Sequence, residues 1–134
     1  MRLLLLGDGE VCDHLAELAG WLNYAEVQRG DEVPSSIDGN DHVVIASRSP
    51  ARARSLLARV LTVGAPAYVG LVASDQEAHA ALLKLSADRI PSERIERVSA
   101  PAGHTLAAVA TTDKETAIAI AADLLAARRG AARG

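Results

Sequence analysis

The residues best suited to chemistry stand near the start of the chain. Gly7-Asp8-Gly9-Glu10-Val11-Cys12 follows directly on the apolar run Leu3-Leu4-Leu5-Leu6. Two glycines one residue apart after a strand make up the first part of a dinucleotide fingerprint. The first permits a tight turn, and the second lets a pyrophosphate reach the backbone at a helix N-terminus. Cys12 stands at the place of the third glycine, where close helix–strand packing needs a small residue. The acid that holds a ribose about 20 residues further on has no clear counterpart. Asp31 is nearest, with Gln28 and Arg29 at the expected strand end. Asp8 and Glu10 also put two carboxylates beside the phosphate position, which opposes an anion. A nucleotide turn and a plain Gly-rich strand-to-helix turn both remain open.

Other groups offer less. A thiol near a helix N-terminus can have a lowered pKa, but Cys12 fits equally as a small buried residue. His14, His42, His79 and His104 show no metal-ligand spacing and read as surface or strand-end histidines. A single cysteine excludes a disulfide framework and any multi-cysteine metal site within the chain. Gly-x-Ser-x-Gly, Walker and His-Glu-x-x-His motifs are missing. The sequence thus names no catalytic residue and no metal site, and leans away from an enzyme.

The elements that must position the glycine turn alternate along the chain. Leu3–Leu6 reads as a buried strand, followed by a helix from Glu10 to about Leu22 with Val11, Leu15, Leu18, Ala19 and Leu22 on one face. Tyr24–Gln28 is a weaker strand, and Gly30–Asn40, with Pro34 and Gly39, is a loop. His42–Ala46 is a second buried strand, and Ser49-Pro50 opens a helix to about Leu61. Ala67–Val72 is a third strand. Ser74 and Glu77 have capping-box spacing before a helix with Ala78, Ala81, Leu82 and Leu85 facing inward. Ile90–Glu93 starts a helical turn, and Arg97–Ser99 is a short last strand. Thr112 or Asp113 caps a final helix in which Ile118, Leu124 and Leu125 face the core, ending near Arg128 and Arg129. Ala117, Ala121 and Ala122 could meet a second copy in a homodimer, or pack on the sheet, which is the simpler use. The pattern predicts one doubly wound, mainly parallel Rossmann-like α/β domain over residues 1–129, with helices on both faces of the sheet and abbreviated after the second strand. Residues 130–134 are expected to fray.

With 134 residues the chain allows one ordinary domain. Apolar residues are 49% and aromatics 2%, so the core must be aliphatic. So few aromatics argue against stacking readers of nucleic acid, and a formal net charge of −3 argues against a polyanion binder. The four-leucine run is too short for an export or membrane segment. The expectation is a cytoplasmic protein with no nucleic-acid or membrane partner.

Longer motifs then carry a resemblance. Leu3–Gly9 is similar to the start of the C-terminal Rossmann-like domain of the XdhC/CoxI family, and Tyr68-Val69-Gly70-Leu71-Val72-Ala73-Ser74 to its "YVGLIGS" segment. Ile90-Pro91-Ser92-Glu93-Arg94-Ile95 and Arg97-Val98-Ser99-Ala100-Pro101-Ala102-Gly103 resemble its "VPEERL…RVHAPIG" segment. Asp113–Ile120, running to Arg128-Arg129, resembles its closing helix. The resemblance implies an accessory protein for maturation of molybdenum hydroxylases of the xanthine dehydrogenase and carbon monoxide dehydrogenase type. Such a protein binds the molybdenum cofactor, molybdopterin, and assists its transfer.

It also implies partners: a hydroxylase subunit, or a separate chain carrying the family's N-terminal domain, which has no counterpart in these residues. Four departures stand out. Besides that missing domain, the stretch between Gln28 and His42 is shortened. Acidic Asp75-Gln76-Glu77 replaces basic residues, and Ser99 and Thr105 replace a histidine and an aspartate. On this reading Gly7, Asp8, Gly9, Cys12, Ser47 and Arg48 line the ligand crevice, joined by Ser74, Pro101 and Gly103 from later strand ends. Arg48 is the one basic candidate for an anionic group. The alternatives are an NAD(P)-binding redox sensor or small oxidoreductase, and a degenerate Rossmann domain serving only protein association.

Overall fold

The computed structural model describes residues 1–103 and 110–133, with side chains through Arg128. Its strands are β1 (Arg2–Leu6), β2 (Glu26–Gly30), β3 (Asp41–Ile45), β4 (Tyr68–Leu71) and β5 (Val98–Ser99). They pair in parallel in the order β2-β1-β3-β4-β5. The helices are α1 (Glu10–Ala19), α2 (Pro50–Val63), α3 (Asp75–Ala87), the short α4 (Ser92–Ile95) and α5 (Asp113–Arg133). This is the expected doubly wound Rossmann-like sheet. The tail expected to fray lies, through Arg133, within the span of α5.

Strand alternation sorts the apolar residues into two layers. Leu4, Leu6, Val43 and Ile45 point toward α2 and α3, where Leu57, Leu61, Ala81 and Leu85 meet them. Leu3, Leu5 and Val44 point the other way, toward Cys12 and Leu15 of α1 and Ala117, Ile120 and Leu124 of α5. Burial on both faces explains why β1 and β3 read as unbroken apolar runs.

The expected caps form. Ser49 Oγ accepts from the Arg52 amide at 3.2 Å and Ser74 Oγ from the Glu77 amide at 3.1 Å. Thr112, rather than Asp113, opens α5: its Oγ1 accepts from the Glu115 amide at 3.1 Å while Glu115 Oε1 accepts from the Thr112 amide at 3.1 Å. That reciprocal pair satisfies two donors that the first helical turn would otherwise leave open.

Two expectations are corrected. Ile118 and Leu125 of α5 are exposed, 61% and 42% respectively, while Ala117, Ile120 and Leu124 face inward. The helix turns its alanine stripe toward α1 because small side chains let the two helices approach closely. β2 begins at Glu26, two residues later than expected, and all five of its residues are exposed. Among the described residues it pairs only with β1, so it is the edge of the sheet, and Tyr24 is drawn inward instead. As expected except that Gly30 ends β2, residues 31–40 form a loop in place of a crossover helix. Val33 and buried Ile37 dock from it onto the α2 layer.

An ion pair ties the loop's end to β1. Arg2 Nε and Nη2 donate to Asp41 Oδ1 and Oδ2 at 2.7 and 2.9 Å, and Arg2 Nη2 also reaches the Ser36 carbonyl at 3.0 Å. Burial pushes the Asp41 carboxyl upward, but the Arg2 hydrogen bonds and the Asp38 amide together hold it below its ordinary value. Replacing Asp41 by alanine strands Arg2 and the Asp38 amide, and should cost about 2 kcal/mol in urea denaturation.

Candidate functional site

The chain leaves β1 toward β2 on one side and returns to β3 on the other. A crevice therefore lies beyond the carboxyl ends of β1 and β3, the usual ligand position in open α/β sheets. Gly7, Asp8, Gly9, Ser47 and Arg48 come together there. The glycines answer first to the seam between the two strand ends. Gly7 has φ +110°, and a Cβ on it would lie 2.0 Å from the Ala46 carbonyl oxygen. A Cβ on Gly9 would lie 3.0 Å from Ala46 Cβ and 3.1 Å from its oxygen. The Gly9 amide donates to Ala46 O at 3.0 Å, and the Gly7 amide to Gly30 O at 3.0 Å. These donors serve the fold, leaving neither amide directed at a ligand.

Asp8 spans the crevice. Its Oδ1 accepts from Ser47 Oγ at 3.1 Å and from the Arg48 amide at 2.9 Å. The Arg48 amide above all, with Ser47, holds the Asp8 carboxyl below its ordinary value, so it is ionised at neutral pH. The Arg48 guanidinium lies 4.0 Å from Glu10 Oε1. Between the Ser47 loop and the end of β4 the space closes to about 10 Å³, lined by Leu71, Val72, Ala73 and Glu77 among others. That is smaller than the volumes small-molecule sites use. A larger hollow of about 350 Å³ lies elsewhere, between Leu4 and Leu6 of β1, Gln28–Gly30 of β2, and Asp31, Glu32 and Pro34 of the loop. It sits on the sheet face where a full crossover helix would pack.

The remaining sequence-named residues have structural partners. Cys12 is buried, its Sγ 3.8 Å from the Leu6 carbonyl oxygen, filling the third-glycine position beneath the turn. Burial pushes its thiol up to about 11, the opposite of an activated cysteine. Cys12 should therefore resist a thiol reagent such as DTNB in the folded protein at neutral pH and react at once after urea unfolding. Ser74 caps α3. After the cis Ala100–Pro101 peptide, the Ala102 amide donates to Leu71 O at 2.9 Å and the Gly103 amide to Asp123 Oδ2 at 2.9 Å. Pro101 and Gly103 thus belong to the junction of β4 with α5. His104 and Thr105 lie outside the described residues.

Sequence reasoning passed over a buried polar chain between the sheet and α5. His42, fully buried, meets the Tyr24 hydroxyl at 2.7 Å through Nδ1. Its ring packs edge-on to Tyr24 and Tyr68, with centroids 5.6 and 6.4 Å away. Tyr68 OH donates to Asp123 Oδ2 at 3.1 Å, and Gly70 makes room for it, since a Cβ there would fall 2.7 Å from that hydroxyl. The Arg128 guanidinium lies 5.0 Å above the Tyr24 ring. Burial, reinforced by Arg128 and the chain amine and opposed by Asp41, pushes the His42 imidazole down to about 4. The signal was legible. Both tyrosines of an aromatic-poor chain stand at or near the starts of strands, and His42 opens an otherwise apolar run.

Comparison with protein families bears on this arrangement. The model of the XdhC Rossmann domain matches residues 3–124. The chain belongs to that family. The match covers the sheet from Leu3, the glycine turn and α5 as far as Leu124, so the crevice residues lie within the matched region. No curated protein matches the chain. Among the described residues no cluster of three or more His, Cys, Asp and Glu could hold a metal ion. No helix among them is long and apolar enough to cross a membrane.

Proposed function

We propose that this XdhC-family chain is an accessory module in the maturation of a molybdenum hydroxylase of the xanthine or carbon monoxide dehydrogenase type. It works by associating with a hydroxylase subunit or with a separate partner domain, and has no turnover of its own. The observation that carries this reading is the family match over residues 3–124. Association is favoured over cofactor carriage by the crevice itself. Molybdopterin and NAD(P) both present a phosphate, and the residues at the β1–β3 turn do not fit one. The Ser47 hydroxyl and Arg48 amide already serve a carboxylate, and Arg48 faces Glu10. The exposed β2 edge offers unpaired backbone groups of the kind that partner strands extend.

Co-expression with the subunits of a candidate hydroxylase tests the proposal. The chain should co-purify with a subunit, and omitting it should lower the molybdenum content and activity of the hydroxylase. Full molybdenum content without the chain, together with no co-purification, would defeat it.

A further inference from the structure

We propose that Asp8 is a built-in anion: its carboxylate fills the phosphate position of the switch-point crevice and excludes external phosphate groups from it. This goes beyond the accessory role and does not depend on it. In a phosphate-binding α/β turn, donors from the first turn and from the neighbouring strand end converge on an oxygen of the ligand. Here the donors of the neighbouring strand end, Ser47 Oγ and the Arg48 amide, converge on Asp8 Oδ1 at 3.1 and 2.9 Å. Ser47 Oγ is itself fixed, accepting from the Ser49 amide at 3.1 Å ahead of α2. Asp8 thus joins the β1 turn to the N-terminal loop of α2, where a negative charge is favourable.

An incoming phosphate would need those same donors. It would have to displace a covalently tethered carboxylate, which has no translational entropy to lose on staying in place. It would also bring a second anion against Asp8 and Glu10. The cation at hand, Arg48, lies 4.0 Å from Glu10. The Gly9 amide, at the head of the turn, is spent on Ala46 O. The glycines thus keep the outline of a nucleotide turn while an acid occupies its centre.

The test is a titration of the chain with inorganic phosphate and with pyrophosphate at constant ionic strength, followed by amide NMR and calorimetry. In the wild type the Gly9, Ser47 and Arg48 amides should not shift saturably. Asp8→Ala vacates the position and should bind pyrophosphate at least about tenfold more tightly than the wild type, with shifts at Ser47 and Arg48. Asp8→Asn keeps an acceptor but loses the charge and should fall between them. Saturable wild-type binding at Ser47 and Arg48, as tight as that of Asp8→Ala, overturns the proposal. So does a folded Asp8→Ala that gains no affinity. Circular dichroism establishes folding. If Asp8→Ala does not fold, Asp8→Asn decides by the same comparison, gain supporting the proposal and parity overturning it. None of these outcomes involves the hydroxylase: failure here removes the ground for preferring association to cofactor carriage and leaves the maturation reading, which stands on the family match, to its own test.

Discussion

Gly7→Ala should destabilise the protein by about 3 kcal/mol or more, and Gly7→Val should leave little folded chain. Two effects add. At φ +110° any side chain is strained, and the new Cβ would stand 2.0 Å from the Ala46 carbonyl oxygen. Relief would mean parting β1 from β3, the centre of the sheet. Gly9→Ala should be much milder, about 1 kcal/mol, because its contact with Ala46 Cβ is 3.0 Å and its φ is an ordinary −70°. Gly20→Ala should be neutral or stabilise by about 0.5 kcal/mol, since the residue is right-handed helical with nothing among the described residues within 4 Å of the added carbon. Urea denaturation of the three variants gives the order. Equal effects at Gly7 and Gly20 would show that the glycines do not serve the β1–β3 seam.

Acid should weaken the fold through His42 before it reaches the carboxylates. The unfolded imidazole takes up a proton below about 6.5, whereas burial holds the folded one down to about 4. Between those values the unfolded chain binds more protons, so unfolding becomes easier as the pH falls. The contribution is fully present above about 6.5 and is lost progressively toward 4, reaching about 3 kcal/mol at most. Asp41 favours the charged ring, but burial, with Arg128 and the chain amine, outweighs it. Burial pushes the Tyr24 hydroxyl up to about 12, so it stays neutral, and the Arg128 guanidinium repels a charged imidazole. The carboxyl of Asp41, held below its ordinary value, extends the loss into still lower pH. His42→Gln keeps an acceptor for Tyr24 without a titrating ring. Its stability should vary less than the wild type's between pH 6.5 and 4. Parallel pH profiles for the two proteins would rule out His42 as the source.

These two results and the behaviour of Asp8 concern one question, which is what the glycine turn is for. A Rossmann strand pair packed this closely needs Gly7 whether or not anything binds. The turn can therefore persist after phosphate recognition has been replaced by an internal carboxylate. An accessory module that works through association can tolerate that replacement.

Much of the architecture was legible in the order of residues. Leu3–Leu6 and His42–Ala46 are apolar on both faces, which only a covered parallel sheet satisfies. Ser49-Pro50, Ser74…Glu77 and the pair Thr112-Asp113 mark helix starts through local hydrogen bonds that require no distant partner, though only the structure chose Thr112 over Asp113. The missing crossover helix also showed, because Gly30–Asn40 lacks helical periodicity. Which face of α5 turns inward was not legible. Ile118 and Leu125 are more apolar than Ala117, yet close approach to α1 selects the smaller side chain.

The site divides in the same way. Sequence alone determined that two glycines and two acids meet at the end of β1, because that is a matter of local order. Only the tertiary structure decided their roles, since each role depends on a residue about forty positions away. Ala46 makes Gly7 and Gly9 a packing seam, and Ser47 with the Arg48 amide makes Asp8 an internal anion. His42 likewise reads as a strand-end histidine until Tyr24, Tyr68 and α5 close over it. Spacing along a chain reports local hydrogen bonds and periodic faces. It cannot report which donors are already spent on residues brought near by folding.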